Sequence, residues 1–283
     1  MRELIVSGTI KHRISDVCKF LNISKSGFYK HREVLERRKN EEEIILYYIM
    51  LLRHAGIMCG ARKMRIYFKK FFDYDIGRDK LLSIMGKHDL HCRYYKQRIQ
   101  TSNGHRSNYP NLLKNSEITR FGEAIVTDIT YIHLPNGRFC YASVISDVRT
   151  RLILGWHVSS TLMVEGSMKA LLMALKQFDI PSGSIHHSDH GVQYTSHEYT
   201  SFLKSKGIQI SMTGNGKCYD NAQAERIFNT LKHEYGFKEC FESLQSVRKE
   251  MRLFVKSYND VRIHAALDYQ TPREVYELLC EAA

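Results

Sequence analysis

The sequence predicts an α/β fold: a mixed-sheet core, preceded by an all-α region with a helix-turn-helix and followed by a helical C-terminal tail. Three observations carry that expectation. Residues 1–100 show helical periodicity with basic faces, whereas residues 118–236 open with three β-rich runs and then alternate between helix and strand patterns. Charge divides at nearly the same place. Residues 1–115 carry 24 Lys+Arg against 11 Asp+Glu and residues 116–283 carry 18 against 19, so the whole +12 excess lies in the first two-fifths.

In the first zone, apolar residues at Ile14, Val17, Phe20 and Leu21 follow one helix face. Asn22-Ile23 makes a short break, and Ser24 is placed to cap a second helix ending near Arg32. Two such helices suit a helix-turn-helix that offers Lys25, Ser26, Tyr29 and Lys30 to DNA, and they suit a plain packing unit equally. Glu41–Arg53 and Asp79–His88 read as further helices, and Arg62–Lys70 is basic with interleaved aromatics. The zone is thus either a polyanion-binding module or a solvated basic surface. Residues 101–117, rich in Asn, Ser and Gly with Pro110, read as a linker.

In the second zone, Glu123–His133, Phe139–Asp147 and Arg151–Ser159 read as strands, with Pro135-Asn136-Gly137 turning the first pair. A helix over Met163–Phe178, a short strand over Ser184–His187, a helix over Ser196–Lys206, a strand over Ile208–Met212 and a long helix over Tyr219–Tyr235 follow. The tail, 237–283, holds a helix over Ser243–Asn259 and a last one opened by Thr271-Pro272.

Composition excludes several classes. The longest apolar runs are far short of a membrane span, and the first ten residues form no signal-peptide core. Seven cysteines at 18, 59, 92, 140, 218, 240 and 280 include no CxxC pair, which argues for reduced thiols, a cytoplasmic setting and no structural zinc. His186-His187 has no matching Cys/His pair to complete a zinc set.

Three acids stand out by placement. Asp128 lies inside the apolar β-run Ile125-Val126-Thr127-Asp128-Ile129, where a carboxylate is costly unless something compensates it. Asp189 follows a short strand, where a polar group reaches a cleft. Glu225 sits at the border of a helix face formed by Ala224, Ile227, Phe228, Leu231 and Tyr235. Each acid taken singly fits a turn, a cap or a surface pair. Together they form a set of hard oxygen donors suited to two Mg²⁺ or Mn²⁺ ions in phosphoryl transfer.

The motifs around these acids extend the pattern. They are Asp128-Ile129-Thr130-Tyr131-Ile132, Gly137, Asp147, Arg151, Gly155-Trp156, His187-Ser188-Asp189-His190-Gly191-Val192-Gln193-Tyr194-Thr195-Ser196, Asp220-Asn221-Ala222, Glu225, Phe228, Leu231-Lys232, Tyr258-Asn259, Arg262, His264 and Thr271-Pro272. With 60 residues between Asp128 and Asp189 and 35 between Asp189 and Glu225, the chain resembles the retroviral-integrase-like DDE transposases of bacterial insertion sequences. The resemblance is to the catalytic, second-frame (OrfB) product of the IS-three family in particular. It implies an RNase H-like integrase catalytic core over 118–236 with Asp128, Asp189 and Glu225 as catalytic metal ligands. It further implies DNA cleavage and strand transfer at element ends and an N-terminal helix-turn-helix over 1–100. The partners implied are terminal inverted repeats, target DNA, further copies of the chain on DNA, and an upstream-frame (OrfA) protein.

Other residues carry paired readings. Lys232, two helical turns after Glu225, holds a phosphate or is a solvated lysine. Asn221 orients the Glu225 helix, contacts substrate or caps the helix. His187 and His190 flank Asp189 within reach of the scissile phosphate. Asp147 reads as structural, and Arg262 and His264 as DNA-binding or packing residues. A nuclease that hydrolyses without joining, and a DNA-binding regulator with an inert core, are the competing functions.

Overall fold

The computed structural model describes residues 24–92, 109–114, 116–213 and 222–281, with Ser15, Cys18 and Lys19. The chain divides into two compact units, one of residues 1–55 with 64–90, the other of 56–63 with 91–283.

In the first unit, helix α1 (Lys25–His54) opens on Ser24, whose hydroxyl accepts from the Gly27 amide at 3.0 Å. It runs unbroken for 30 residues. The helix expected to stop near Arg32 and the one expected from Glu41 are therefore one element. The reason lies between them: residues 33–40 contain neither Gly nor Pro, and Arg32 pairs with Glu36 one turn on at 3.0 Å. The first helix of the expected pair, around Ile14–Leu21, falls largely outside the described residues. Ile45, Ile49 and Leu52 bury one face of α1, and Tyr48 stacks on Phe72 of helix α2 (Ala61–Phe72) with ring centroids 4.0 Å apart. Helix α3 (Arg78–Lys87) buries Leu81, Ile84 and Met85. Lys80 is paired with Glu41, and Lys87 with Glu42 at 2.7 Å.

The second unit is built on a five-stranded sheet: β1 (Ala124–His133), β2 (Phe139–Asp147), β3 (Ile153–Ser159), β4 (Ile185–Ser188) and β5 (Gln209–Met212), in the order β3-β2-β1-β4-β5. The first three strands form an antiparallel meander, and β4 and β5 join it in parallel. Parallel pairing needs crossovers, supplied by helix α4 (Val164–Gln177) before β4 and by the short α5 (Val192–Thr195) and α6 (His197–Ser205) before β5. Both faces of the sheet are covered, so β1 is almost continuously buried rather than alternating. One core joins Ile125, Ile145 and Leu154 to Ala170, Leu171 and Ala174 of α4 and to Tyr194, Tyr199 and Leu203. The other joins Ile132, Val144 and Val158 to helices α7 (Ala222–Glu234) and α8 (Leu244–Asp260).

The tail beyond residue 237 belongs to this same compact unit. Asn259 at the end of α8 makes a two-way bond to the start of β3, accepting from the Ile153 amide and donating to its carbonyl, each at 2.9 Å. Helix α9 (Pro272–Glu281) begins on a reciprocal cap, in which Thr271 Oγ1 accepts from the Glu274 amide at 3.1 Å and Glu274 accepts from the Thr271 amide at 2.8 Å. The end of the expected linker is not free. Leu112 donates to Ser211 Oγ at 2.8 Å and Pro110 accepts from the Met212 amide at 3.1 Å, which straps this segment along β5.

Gly155 shows how closely α4 lies on the meander: a Cβ there would overlap the Ala170 carbonyl oxygen and come within 2.8 Å of the Ala174 nitrogen. Gly155→Ala is expected to lower stability by about 1–3 kcal/mol. Urea unfolding should then show a lower midpoint with an unchanged slope; an unaltered midpoint would mean that the helix has room to shift.

Candidate active site

The register of β1 with β4 decides where the first two acids meet. Val126 lies opposite His187 across a parallel pair. Beyond this last pair β1 carries Asp128 and the chain leaving β4 carries Asp189, close enough for their charges to interact. Each carboxylate is steadied by local backbone: Asp128 Oδ1 accepts from the Ile129 amide at 2.7 Å, and Asp189 Oδ1 from the Gly191 amide at 2.9 Å. The apolar stripe of α7, Ala224, Ile227, Phe228 and Leu231, is buried against the sheet. Glu225 stands on the exposed shoulder of that stripe.

Electrostatics join the three. Asp128 lies deep in the sheet with its surface only partly open, and its pKa is pushed up to about 8. Burial is the largest cause, the Asp189 charge the next, and the Glu225 charge adds to them; the Ile129 amide and Lys232 pull the other way. Burial also raises Asp189, against the Gly191 amide and His190. Lys232 is half-buried, and its pKa is lowered by burial and by Lys238, while the Asp128 charge favours its cationic form. Three acids and a lysine therefore share one neighbourhood. Among the described residues, no three His, Cys, Asp or Glu groups already stand in a closed coordination set. The donor chemistry fits a divalent cation nonetheless: hard carboxylate oxygens, two of them on aspartates whose charged forms burial disfavours until a cation compensates them.

Residues not singled out from the sequence for this role support the site from below. Thr127, next to Asp128, hydrogen-bonds through Oγ1 to the Val144 carbonyl and to the Tyr194 hydroxyl, both at 3.1 Å. Tyr194 lies five residues after Asp189, is buried, and feels the charges of both aspartates. Gln193 Nε2 donates to the Leu162 carbonyl at 2.9 Å, tying the loop after Asp189 to the approach to α4. In sequence, Gln193 and Tyr194 were visible only as members of a motif.

Several expectations are corrected. His187 is fully buried, its Nδ1 2.8 Å from Ser211 Oγ, so it is a link between β4 and β5 and not a phosphate contact. His190 Nε2 sits 2.5 Å from the Thr213 carbonyl and its Nδ1 is buried, so the ring is anchored on the protein. Of the two readings of Arg262, the structure favours packing. Its side chain is 9% exposed and forks onto Glu234 at 2.7 and 2.6 Å, binding the end of α7 to the segment after α8. His264, 3.4 Å from the Arg262 guanidinium, packs in the same place. Asp147 is structural, accepting from the Gly122 and Thr150 amides and the Thr150 hydroxyl. Asn221 lies outside the described residues. Lys25, Tyr29 and Lys30 are exposed on the first turns of α1.

A five-stranded mixed sheet that opens with an antiparallel meander is the architecture of an integrase catalytic core. Profiles of the Integrase core domain match residues 119–218 and 206–272. A 31 kDa protein of insertion element IS600 from Shigella sonnei is 30% identical over 272 residues, 92% of this chain and 98% of its own. The transposase of insertion sequence element IS904 from Lactococcus lactis is 34% identical over 226 residues, 79% of this chain and 83% of its own. Among solved structures, the HTLV-2 integrase catalytic core domain in complex with magnesium aligns with 56% of this chain and 97% of its own, at 13% identity and a TM-score of 0.41, a remote likeness. The chain belongs to the integrase-core transposases of insertion sequences, the DDE polynucleotidyl transferases that include those of the IS3 elements. Among the described residues no helix is long and apolar enough to cross a membrane.

Two consequences can be measured. A carboxyl whose folded pKa of about 8 exceeds the ordinary aspartate value of 3.8 keeps a proton in the folded state that the unfolded chain has lost. Its contribution to stability is therefore full at low pH and is lost as pH rises through that window. In metal-free protein the stability of the parent relative to Asp128→Asn should fall as pH rises from about 4 to about 8; a difference that stays constant across that window would refute this assignment. Arg262→Ala should cost about 3–5 kcal/mol, because it strands the Glu234 carboxylate in a mostly buried position. Chemical denaturation should register that loss, and a variant of normal stability with selectively weakened DNA binding would restore the DNA-contact reading.

Proposed function

We propose that this transposase cuts DNA at the ends of its element and joins the exposed 3′-hydroxyls to target DNA at a site formed by Asp128, Asp189 and Glu225. The supporting observation is that three carboxylates share one neighbourhood, in which burial first, and the Asp189 and Glu225 charges after it, raise the pKa of Asp128. Crowding that is unfavourable without cations is what a cation site requires. When bound, two Mg²⁺ or Mn²⁺ ions would supply Lewis-acid activation of the attacking oxygen and stabilisation of the leaving one. The chain's own residues hold those ions and position DNA, with no protein nucleophile involved.

Lys232 holds a phosphate beside the acids in this reading, supported by the interaction of its charge with that of Asp128. Lys25, Tyr29 and Lys30 present a basic and aromatic surface suited to backbone contact, and Asn221 is assigned to substrate or to the start of α7. The sequences recognised are terminal inverted repeats and a target duplex. Several copies of the chain assemble on them, with an upstream-frame protein as a further partner, in the bacterial cytoplasm.

Glu225→Gln should abolish Mn²⁺-dependent cleavage and joining of element-end DNA while leaving DNA binding intact. Joining retained by the variant would sink the proposal, and nicks without joined product in the parent would point to hydrolysis alone.

A further inference from the structure

We propose that Gln223 is a positioning residue for the acidic site: its side-chain amide fastens the helix carrying Glu225 to the turn that closes the β2–β3 hairpin. The inference rests on the reading of Glu225 as a metal-binding carboxylate. Gln223 lies in the first turn of α7, two residues before Glu225, and its Nε2 donates to the Asp147 backbone carbonyl at 2.7 Å. The Ser146 hydroxyl lies 3.3 Å from the same nitrogen.

The receiving end is rigid. Asp147 is fully buried and its carboxylate accepts from the Gly122 amide at 2.9 Å, the Thr150 amide at 2.6 Å and the Thr150 hydroxyl at 2.7 Å. Its carbonyl also accepts from the Arg151 amide at 3.0 Å, and its own amide donates to Leu152 at 2.9 Å. Across the sheet Asp147 lies opposite Ile125, three residues before Asp128. A short path thus runs from the Glu225 helix to the strand that bears Asp128: Gln223 binds the Asp147 carbonyl, and one residue on the Val148 amide donates to the Ala124 carbonyl of β1 at 2.9 Å.

The site has a physical need for such a tie. A carboxylate carried on a helix can serve the same ion as one on the sheet only if the helix is held in place. The stripe of Ala224, Ile227, Phe228 and Leu231 holds the helix down by apolar burial, which is non-directional and does not fix its rotation. Helix ends also fray. A directional bond to an immobile carbonyl, one turn from Glu225, opposes both tendencies and holds the third carboxylate within reach of the other two. Partners that orient ligands in this way typically account for about 10–100-fold in metal affinity or activity.

The test uses the full chain and two substitutions. Gln223→Met keeps the length and loses the amide, and Gln223→Asn keeps the amide but falls one methylene short of Asp147. Mn²⁺ binding to the free protein is read by electron paramagnetic resonance, first-turn mobility by hydrogen exchange of the α7 amides, and catalysis by the Mg²⁺ needed for half-maximal cleavage of element-end DNA. Both variants should bind Mn²⁺ about tenfold more weakly, need correspondingly more Mg²⁺ and exchange faster at the start of α7. Folded variants that match the parent in Mn²⁺ affinity and Mg²⁺ requirement would overturn the proposal, even if their melting temperature falls. If the Met variant does not fold, the Asn variant decides by the same readings. Glu225→Gln is measured alongside: parent-like Mn²⁺ binding there overturns the reading of Glu225 itself, whereas its loss beside parent-like Gln223 variants removes only the clamp.

Discussion

Strand β1 is hydrogen-bonded on both sides, antiparallel to β2 along its length and parallel to β4 over three residues at its start. That short parallel contact governs much of what the molecule does. It sets Asp189 beside Asp128, and a slip of one residue would turn the side chains of β4 to the opposite face. The surrounding packing reads as protection of this register. His187 binds Ser211 on the next strand, and Thr127 binds Tyr194 in the segment after Asp189. The strap at Pro110 and Leu112 holds the outer strand β5 in place.

Against that order stands an electrostatic cost. Three acids in one neighbourhood, with Lys232 as a nearby cation, destabilise the folded chain unless protons or metal ions compensate them. Directional bonds elsewhere supply what the apolar cores alone leave loose. Asn259 pins α8 to β3, and Arg262 pins the end of α7 through Glu234. The helical tail is accordingly part of the catalytic unit rather than an appendage to it.

Much of the fold was legible in the chain because its patterns are local. The β-runs at Glu123–His133 and Phe139–Asp147, the turn at Pro135-Asn136-Gly137 and the cap at Thr271-Pro272 each lie within a few residues, and each appears within a residue or two of its expected place. Helix α1 was misjudged as two elements because Arg32 to Glu41 lacks a strong apolar stripe. The backbone needs only the absence of breakers to continue through it. The acids stood out by placement and spacing, but a buried histidine and an exposed one look alike in a linear string. The readings of His187 and Arg262 stayed open because their partners lie 24 and 28 residues away.

By itself, then, the sequence determined the class of fold, the order of its elements and the basic character of the first zone, and it singled out the three carboxylates proposed as the site, all carried by local period, turn chemistry and motif. Only the tertiary structure decided that Asp128 and Asp189 sit side by side and that Arg262 turns inward to Glu234. The amide of Gln223 likewise meets a carbonyl 76 residues away only once the chain has folded. The physical reason is the same in each case: strand register and buried hydrogen-bond partners are properties of chain segments distant in sequence, and nothing local in the chain encodes which segments will meet.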